Sequence, residues 1–457
     1  VLLAVPVGVY FYIAWAGDTD LAMAIAETDQ LDPHWRFDDL VAERAPISDE
    51  PNPALVAMKA DALTRPSGFD LGRNSHVLFE DVPPQHRLNG PQIAALREAL
   101  TKFEEAVKVA RTLKDFPGEG RFPIRYDTDI FSINLEPLQR NRGVMYMLEN
   151  DAMLRAEEED AAGAMQSCRA LLVTARSIGT EPFLIAMLIR VAGNQITVQT
   201  LERVLAQGEP PADELLALQE LLAREMEAPL LAQAIRGERG SFDRFIAGMD
   251  SGNIRPSRLV TNINGGAANT VEGWLLDAFP AIVTRGRADY LRIMNKAVAA
   301  SGLPPEKQAE AFAEIDRDVV TSRATVVKLL MPAVSKVSGA NRRNQANLRC
   351  AVCGIAAERY RLKHDQWPGT LEDLVKDKLL AAVPTDPFDG RPLRLKLMPD
   401  GILIYSVGPD GVDNGGIMNR ANPQQQGTDM GFRLWDVNAR RQPPLPPPQL
   451  EELRGPP

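Results

Sequence analysis

Residues 148–179 read LENDAMLRAEEEDAAGAMQSCRALLVTARSIG. Apolar and small residues recur there at three- and four-residue steps on both sides of a break at Ala161–Gly163, the pattern of two helices joined by a turn. Ala152, Ala156, Ala164 and Ala170 place small side chains where those helices would approach closely. Working outward, helical patterns of similar length fill Leu135–Met226, with further breaks at Gly179–Pro182 and Gly208–Pro211. The expected fold class is mainly α, either a helical bundle or a short helical array, followed by a small C-terminal α+β module.

The quoted stretch resembles one helix-turn-helix unit of the tetratricopeptide kind. Stacked units of that kind would bury a continuous core and leave a concave face for a peptide or protein segment. An irregular bundle would have no such groove, and both arrangements fit the pattern. Upstream, IAALREALTKFEEAVKVARTL predicts one helix over Ile93–Leu113, with Leu96, Leu100, Phe103, Val107 and Leu113 along one face. Lys114–Asn134, interrupted by Pro117, Gly118, Gly120 and Pro123, predicts a surface crossover. Downstream, Asn269–Thr284, Arg287–Ser301, Pro305–Asp318 and Ser322–Val337 read as four more helices. Asn262–Gly266, NINGG, reads as a turn, since no P-loop Lys-Ser/Thr follows it.

A chain of 457 residues predicts two or three packed units. Its net charge of −10, with only short basic runs at Arg342-Arg343 and Arg440-Arg441, gives no electrostatic footprint for nucleic acid. Three cysteines, Cys168, Cys350 and Cys353, are too few for a disulfide scaffold.

The first seventeen residues, VLLAVPVGVYFYIAWAG, carry no charge. Tyr10, Phe11, Tyr12 and Trp15 crowd toward Asp18, where aromatic rings would sit among lipid headgroups, so the segment reads as a membrane anchor. The rival reading is a cleaved signal peptide, with Ala14-Trp15-Ala16 as its small-x-small site. The sequence starts within this apolar run and lacks an initiator Met, so a short basic stretch is expected before it. Both readings place the bulk of the chain outside the cytoplasm; the third reading, a buried helix of a soluble protein, fits less well a segment whose only polar side-chain groups before Gly17 are tyrosine hydroxyls and the Trp15 N–H. Asp18 or Thr19 would cap the helix that follows and Pro33 would stop it, opening a helical stalk over 18–65.

Near the C-terminus a long helix through Leu348, Val352, Ile355 and Leu362 leads to Thr370, an N-cap with Asp373 at the third helical position. Pro384, Pro387 and Gly390 force turns. Leu393–Leu397 and Ile402–Val407 then read as two strands joined at Pro399-Asp400-Gly401. The succession Tyr360-Arg361-Leu362, Trp367-Pro368, Asp386-Pro387-Phe388-Asp389-Gly390 and Tyr405 to Gly411 resembles the C-terminal part of the major pseudopilins of type II secretion. The resemblance covers about a fifth of the chain. It implies a calcium ion on the loop after the hairpin, at Asp410 and Asp413 with Asp429 as a third ligand. Read from the residues alone, Asp410 and Asp413 serve equally as turn residues that hydrogen-bond their own backbone. The chain departs from polymerising pilins, having no prepilin peptidase motif and no glutamate in its apolar N-terminal segment.

Other candidate chemistry is weak. Cys350-Ala351-Val352-Cys353 lies within a helical pattern and reads as two buried small side chains. His34, His76, His86 and His364 lack metal-ligand spacing, and no HExxH or GxSxG occurs. Glu157–Asp160 is an acidic run of the kind that marks a helix end. The expected organisation is an anchor over 1–17, a helical stalk and crossover over 18–134, a helical domain over 135–340, the pseudopilin-like α+β module over 341–441 and a proline-rich tail over 442–457. The expected function is that of a membrane-anchored extracytoplasmic binding or scaffold protein, more consistent with a non-enzyme than an enzyme, with protein or peptide partners of the cell envelope. The alternatives are an accessory part of a secretion-type assembly and a hydrolase whose active site is dispersed in sequence.

Overall fold

The computed structural model describes residues 4–44, 52–65, 82–259, 284–420 and 425–446, together with 274, 277 and 422. Among these are fifteen α-helices and one small sheet, so the chain is mainly helical with a C-terminal α+β portion. The helix expected over Asn269–Thr284, the Asn262–Gly266 turn, His76 and the tail beyond residue 446 fall largely or wholly outside the described residues.

Helix α1, Ala4–Leu31, is continuous through Asp18 and Thr19, which are therefore interior and cap nothing. It ends where Pro33 denies Asp32 a helical conformation, as expected. The following segment does not stand off as a stalk. Trp35 and Phe37 are buried at the start of α2, Phe37–Glu43, and Ala54, Ala57 and Ala60 of α3, Pro53–Ala62, are buried in turn.

The helix expected over Ile93–Leu113 is two. Helix α4, Gly90–Lys102, opens with a reciprocal capping box between Asn89 and Gln92, and α5, Glu104–Arg111, begins after Phe103 leaves helical geometry. The break lets Leu96 and Leu100 on one piece and Val107 and Ala110 on the other enter a single core. The 114–134 segment is irregular but not superficial: Phe122 is 1% exposed and packs beside Ile178 and Phe183.

Helices α6, Glu136–Glu157, α7, Ala161–Arg176, and α8, Leu184–Gln207, pack pairwise on one another, with α9, Ala212–Met226, against α7. The first break falls at 158–160 rather than 161–163, because Asp160 accepts the Gly163 N–H (2.8 Å) and starts α7 there. Ala152, Ala156, Ala164 and Ala170 are all buried where the helices meet. Helix α8 is long and apolar enough to cross a membrane, yet 72% of its apolar window is buried inside the protein.

A second core is built from α10, Leu230–Asp250, α11, Arg287–Ser301, α12, Pro305–Thr321, and α13, Thr325–Leu330. The helix expected over Ser322–Val337 divides here, its second part becoming the start of α14, Pro332–His364, whose Pro332 occupies a first-turn position that needs no N–H. This 33-residue helix runs from the second core to the C-terminal sheet.

After α15, Leu371–Lys376, three antiparallel strands follow in the order β1, Arg394–Met398, β2, Gly401–Ser406, and β3, Met430–Trp435. The first two form the expected hairpin, paired from Arg394–Tyr405 to Met398–Gly401. Strand β3 was not expected. The sheet packs on α14 and α8, and Ile402, Ile404, Phe432 and Leu434 share one apolar core with Leu148, Leu172 and Leu201 of the helical body.

Candidate functional site

The C-terminal loop holds the three predicted site residues, and each carboxylate is engaged by the loop's own donors. Asp410 accepts the backbone N–H groups of Val412 (3.0 Å) and Gly427 (2.9 Å) and the Asn414 amide (3.3 Å). Asp413 accepts Gly415 N–H (2.9 Å), the Tyr405 hydroxyl (3.2 Å) and Arg394 Nε (3.1 Å). Asp429, 1% exposed, accepts the N–H groups of Asn414 (3.2 Å) and Gly416 (2.6 Å). The Val412 N–H on Asp410 and the Gly415 N–H on Asp413 hold those two carboxyls below the usual range, whereas burial raises Asp429. Positive φ at Gly408, Gly411, Gly415 and Gly416 lets the backbone curl around these groups.

The turn at Asp386–Gly390 meets the end of β2, where that loop begins. Asp386, fully buried, accepts Ser406 Oγ (2.7 Å), the N–H groups of Phe388 (2.9 Å) and Val407 (2.8 Å), and Arg394 Nη1 (2.8 Å). The Arg394 guanidinium also pairs with Asp389 and Asp413. One arginine on β1 thus supplies positive charge to three carboxylates from two turns. Calcium takes six to eight oxygens, and among the described residues no three His, Cys, Asp or Glu side chains stand close enough to hold a metal. All six oxygens of Asp410, Asp413 and Asp429 accept hydrogen bonds from the loop and its neighbours.

Elsewhere buried charges serve as struts. Glu225 on α9, 0% exposed, accepts from Arg176 (2.8 Å), Arg190 (2.7 and 2.8 Å) and Asn194 (3.0 Å) on α7 and α8. Glu358 on α14 accepts four hydrogen bonds, from Arg361 and from Arg440 beyond β3. Glu202 on α8 accepts the Arg433 N–H (2.7 Å) and the Arg420 guanidinium. The Glu225 group locks α7, α8 and α9 together, and the Glu202 and Glu358 groups tie the sheet and its flanking segments to the helices.

The remaining candidates are placed apart. Glu157 is buried and accepts from Arg203 and the Leu88 N–H, Glu158 pairs with Arg97, and Asp160 caps α7, so the acidic run is a helix end. Cys168, Cys350 and Cys353 are all buried, and burial pushes their thiols up. His86 contacts the Pro443 carbonyl and His364 meets Asp377, in different regions of the fold. A surface depression between α11 and α12 is lined by Asp289, Arg292, Lys296 and Asp318, in which Lys296 already pairs with Asp318 and Arg292 with Asp20. Glu149 is the notable exception among these paired groups: it is buried on α6 with Oε2 unpartnered, and burial pushes its carboxyl up to about 8.

No protein-family model matches the chain, and neither the curated proteins nor the solved structures give a match.

Proposed function

We propose that the chain is a membrane-tethered extracytoplasmic platform that binds or scaffolds other components of the cell envelope. The observation that carries this reading is the continuity of α1. Its uncharged first part, residues 4–17, runs without a break into a second part clamped to the body. Asp20 and Glu27 pair with Arg292, Thr28 accepts from Asn295 (2.8 Å), and just past the helix Asp32 pairs with Arg236 and Arg239. At about 1.5 Å per residue, residues 4–17 add about 21 Å of helix to that clamp. A helix held at one end in lipid and at the other by ion pairs would fix the body's orientation, which suits a platform.

Carbonate extraction of membranes tests the tether. The full chain is expected in the membrane pellet and a variant lacking residues 1–17 in the supernatant. Equal release of both would refute it, and a mature N-terminus at Gly17 would identify a cleaved signal instead.

The pseudopilin likeness of residues 348–436 extends the reading to an accessory part of a secretion-type assembly, which co-purification with secretion components would support. Calcium would enter by displacing Arg394 from Asp413. A rise in melting temperature with calcium, lost in an Asp410→Ala, Asp413→Ala double variant, would support that ion; an unchanged melting temperature would leave Arg394 as the loop's own cation.

A further inference from the structure

From Val319 to Ala357 the sequence contains no aspartate or glutamate and six basic residues, Arg323, Lys328, Lys336, Arg342, Arg343 and Arg349, within a chain of net charge −10. Elsewhere buried guanidiniums meet carboxylates: Arg176 and Arg190 meet Glu225, Arg203 meets Glu157, Arg239 meets Asp32 and Arg440 meets Glu358. Arg342 and Arg343 on α14 break that pattern. Both are half-buried, neither has an ion-pair partner among the described residues, and the Arg342 Nε is buried without a hydrogen bond.

Their setting is nevertheless ordered. The Arg342 guanidinium lies over the Phe388 ring, 5.0 Å from its centroid, which covers one face and leaves the group without a hydrogen-bonded acceptor at its buried Nε. Arg343 folds back along its own helix, its Nη1 3.5 Å from where a Cβ on Gly339 would stand. Arg349, two turns beyond Arg342, is committed to Thr385, donating to its carbonyl (2.6 Å) and hydroxyl (3.2 Å), which fixes the turn that carries Phe388. Burial makes both unpaired arginines harder to keep charged, and Arg343 adds repulsion at Arg342. Two half-buried cations on consecutive residues of one helix, the one felt by the other, are unfavourable unless an anion offsets them.

We propose that Arg342 and Arg343, with Arg342 braced on Phe388, bind a phosphoryl group, carried either by a small phosphate compound or by a phospholipid headgroup. A tetrahedral dianion balances two guanidiniums, where a carboxylate would balance one. The planar fork of each arginine also matches two phosphoryl oxygens at once.

The test titrates the full chain with inorganic phosphate at constant ionic strength, and separately with phosphatidylcholine vesicles with and without phosphatidic acid. Saturable binding of phosphate identifies a soluble ligand, and binding only to phosphatidic acid vesicles identifies a headgroup. Either supports the site if affinity falls about tenfold or more for each arginine removed in Arg342→Gln and Arg343→Gln and is unchanged in Arg323→Gln, an exposed residue of the same basic run. The double variant is also expected to melt higher than the parent in phosphate-free buffer, because an uncompensated pair is gone. Should it fail to fold, Arg342→Lys with Arg343→Lys keeps the charge, loses the fork and is expected to bind more weakly. Absence of saturable binding to either probe, equal binding by the double variant, equal loss in Arg323→Gln, or a lower melting point of the double variant would each overturn the proposal.

Discussion

Replacing Glu149 by glutamine removes a carboxyl that the fold encloses without a partner for Oε2. Burial moves its pKa from an ordinary 4.5 to about 8, so the folded chain holds a proton that the unfolded chain gives up. Between those values the folded state binds more protons than the unfolded one, and stability must fall as pH rises. The slope for one such group is about 1.4 kcal/mol per pH unit, which makes the loss about 3 kcal/mol between pH 5 and pH 7. Glutamine has nearly the same shape and no titration, so the variant lacks this slope. The assay is urea unfolding of both proteins at pH 5, 6, 7 and 8 at fixed ionic strength. The Glu149→Gln protein should gain on the parent steadily across the series. If the two stability curves run parallel, Glu149 is not a buried neutral acid and the reasoning fails.

Three other perturbations probe different parts of the fold. Glu358→Ala leaves Arg361 and Arg440 without their shared buried carboxylate and should cost about 3 to 5 kcal/mol in denaturant unfolding; because those arginines hold the Glu358 carboxyl below its usual range, the parent should lose this contribution only as pH falls through that lowered value. Gly240→Ala would put a Cβ 2.8 Å from both the Phe37 nitrogen and the Trp35 carbonyl oxygen, so we expect a loss of about 1 to 3 kcal/mol and faster limited proteolysis between residues 33 and 44. Burial raises the Cys350 thiol well above its ordinary value and Cys353 to about 12; iodoacetamide at pH 8 should therefore spare them in the native chain and modify them in urea, as mass spectrometry would show.

Much of the architecture was legible because it rests on local signals. Helix α11 matches the periodicity read over Arg287–Ser301, Thr370 and Asp373 close the capping box on each other, and the Pro399-Asp400 hairpin forms where turn chemistry demands it. The third strand was missed although Met430, Phe432 and Leu434 alternate. Gly431 and Arg433 interrupt the apolar text, and Arg433 tolerates burial only because Asp400 pairs with it and Glu202 takes its N–H. Likewise the Asp410, Asp413 and Asp429 loop could be located from its glycines, but its counter-charge could not, since Arg394 reads as an ordinary strand residue until the turns fold onto it. The expected boundary between helical domain and module near residue 340 had no local mark to contradict it. What joins the two across that boundary is the shared apolar core and charges such as Glu202, which meets Arg420 and Arg433, and Glu209, which meets Arg361, partners that lie far away in the chain.

Those distant partners govern the order in which the protein becomes complete. Glu202 waits 231 residues for the N–H of Arg433, and Gln442 exchanges backbone hydrogen bonds with Gln85 and Arg87, near the other end of the described fold. A nascent chain that has delivered α6 to α9 still holds an unmatched buried carboxylate on α8 and a bare apolar face where β2 and β3 belong. Contacts of such sequence separation make late folding steps slow. The first 400 residues would therefore spend synthesis with adhesive surface exposed. Loss of even the final strand would unsettle helices made long before it, so the body is complete only once residue 442 has arrived.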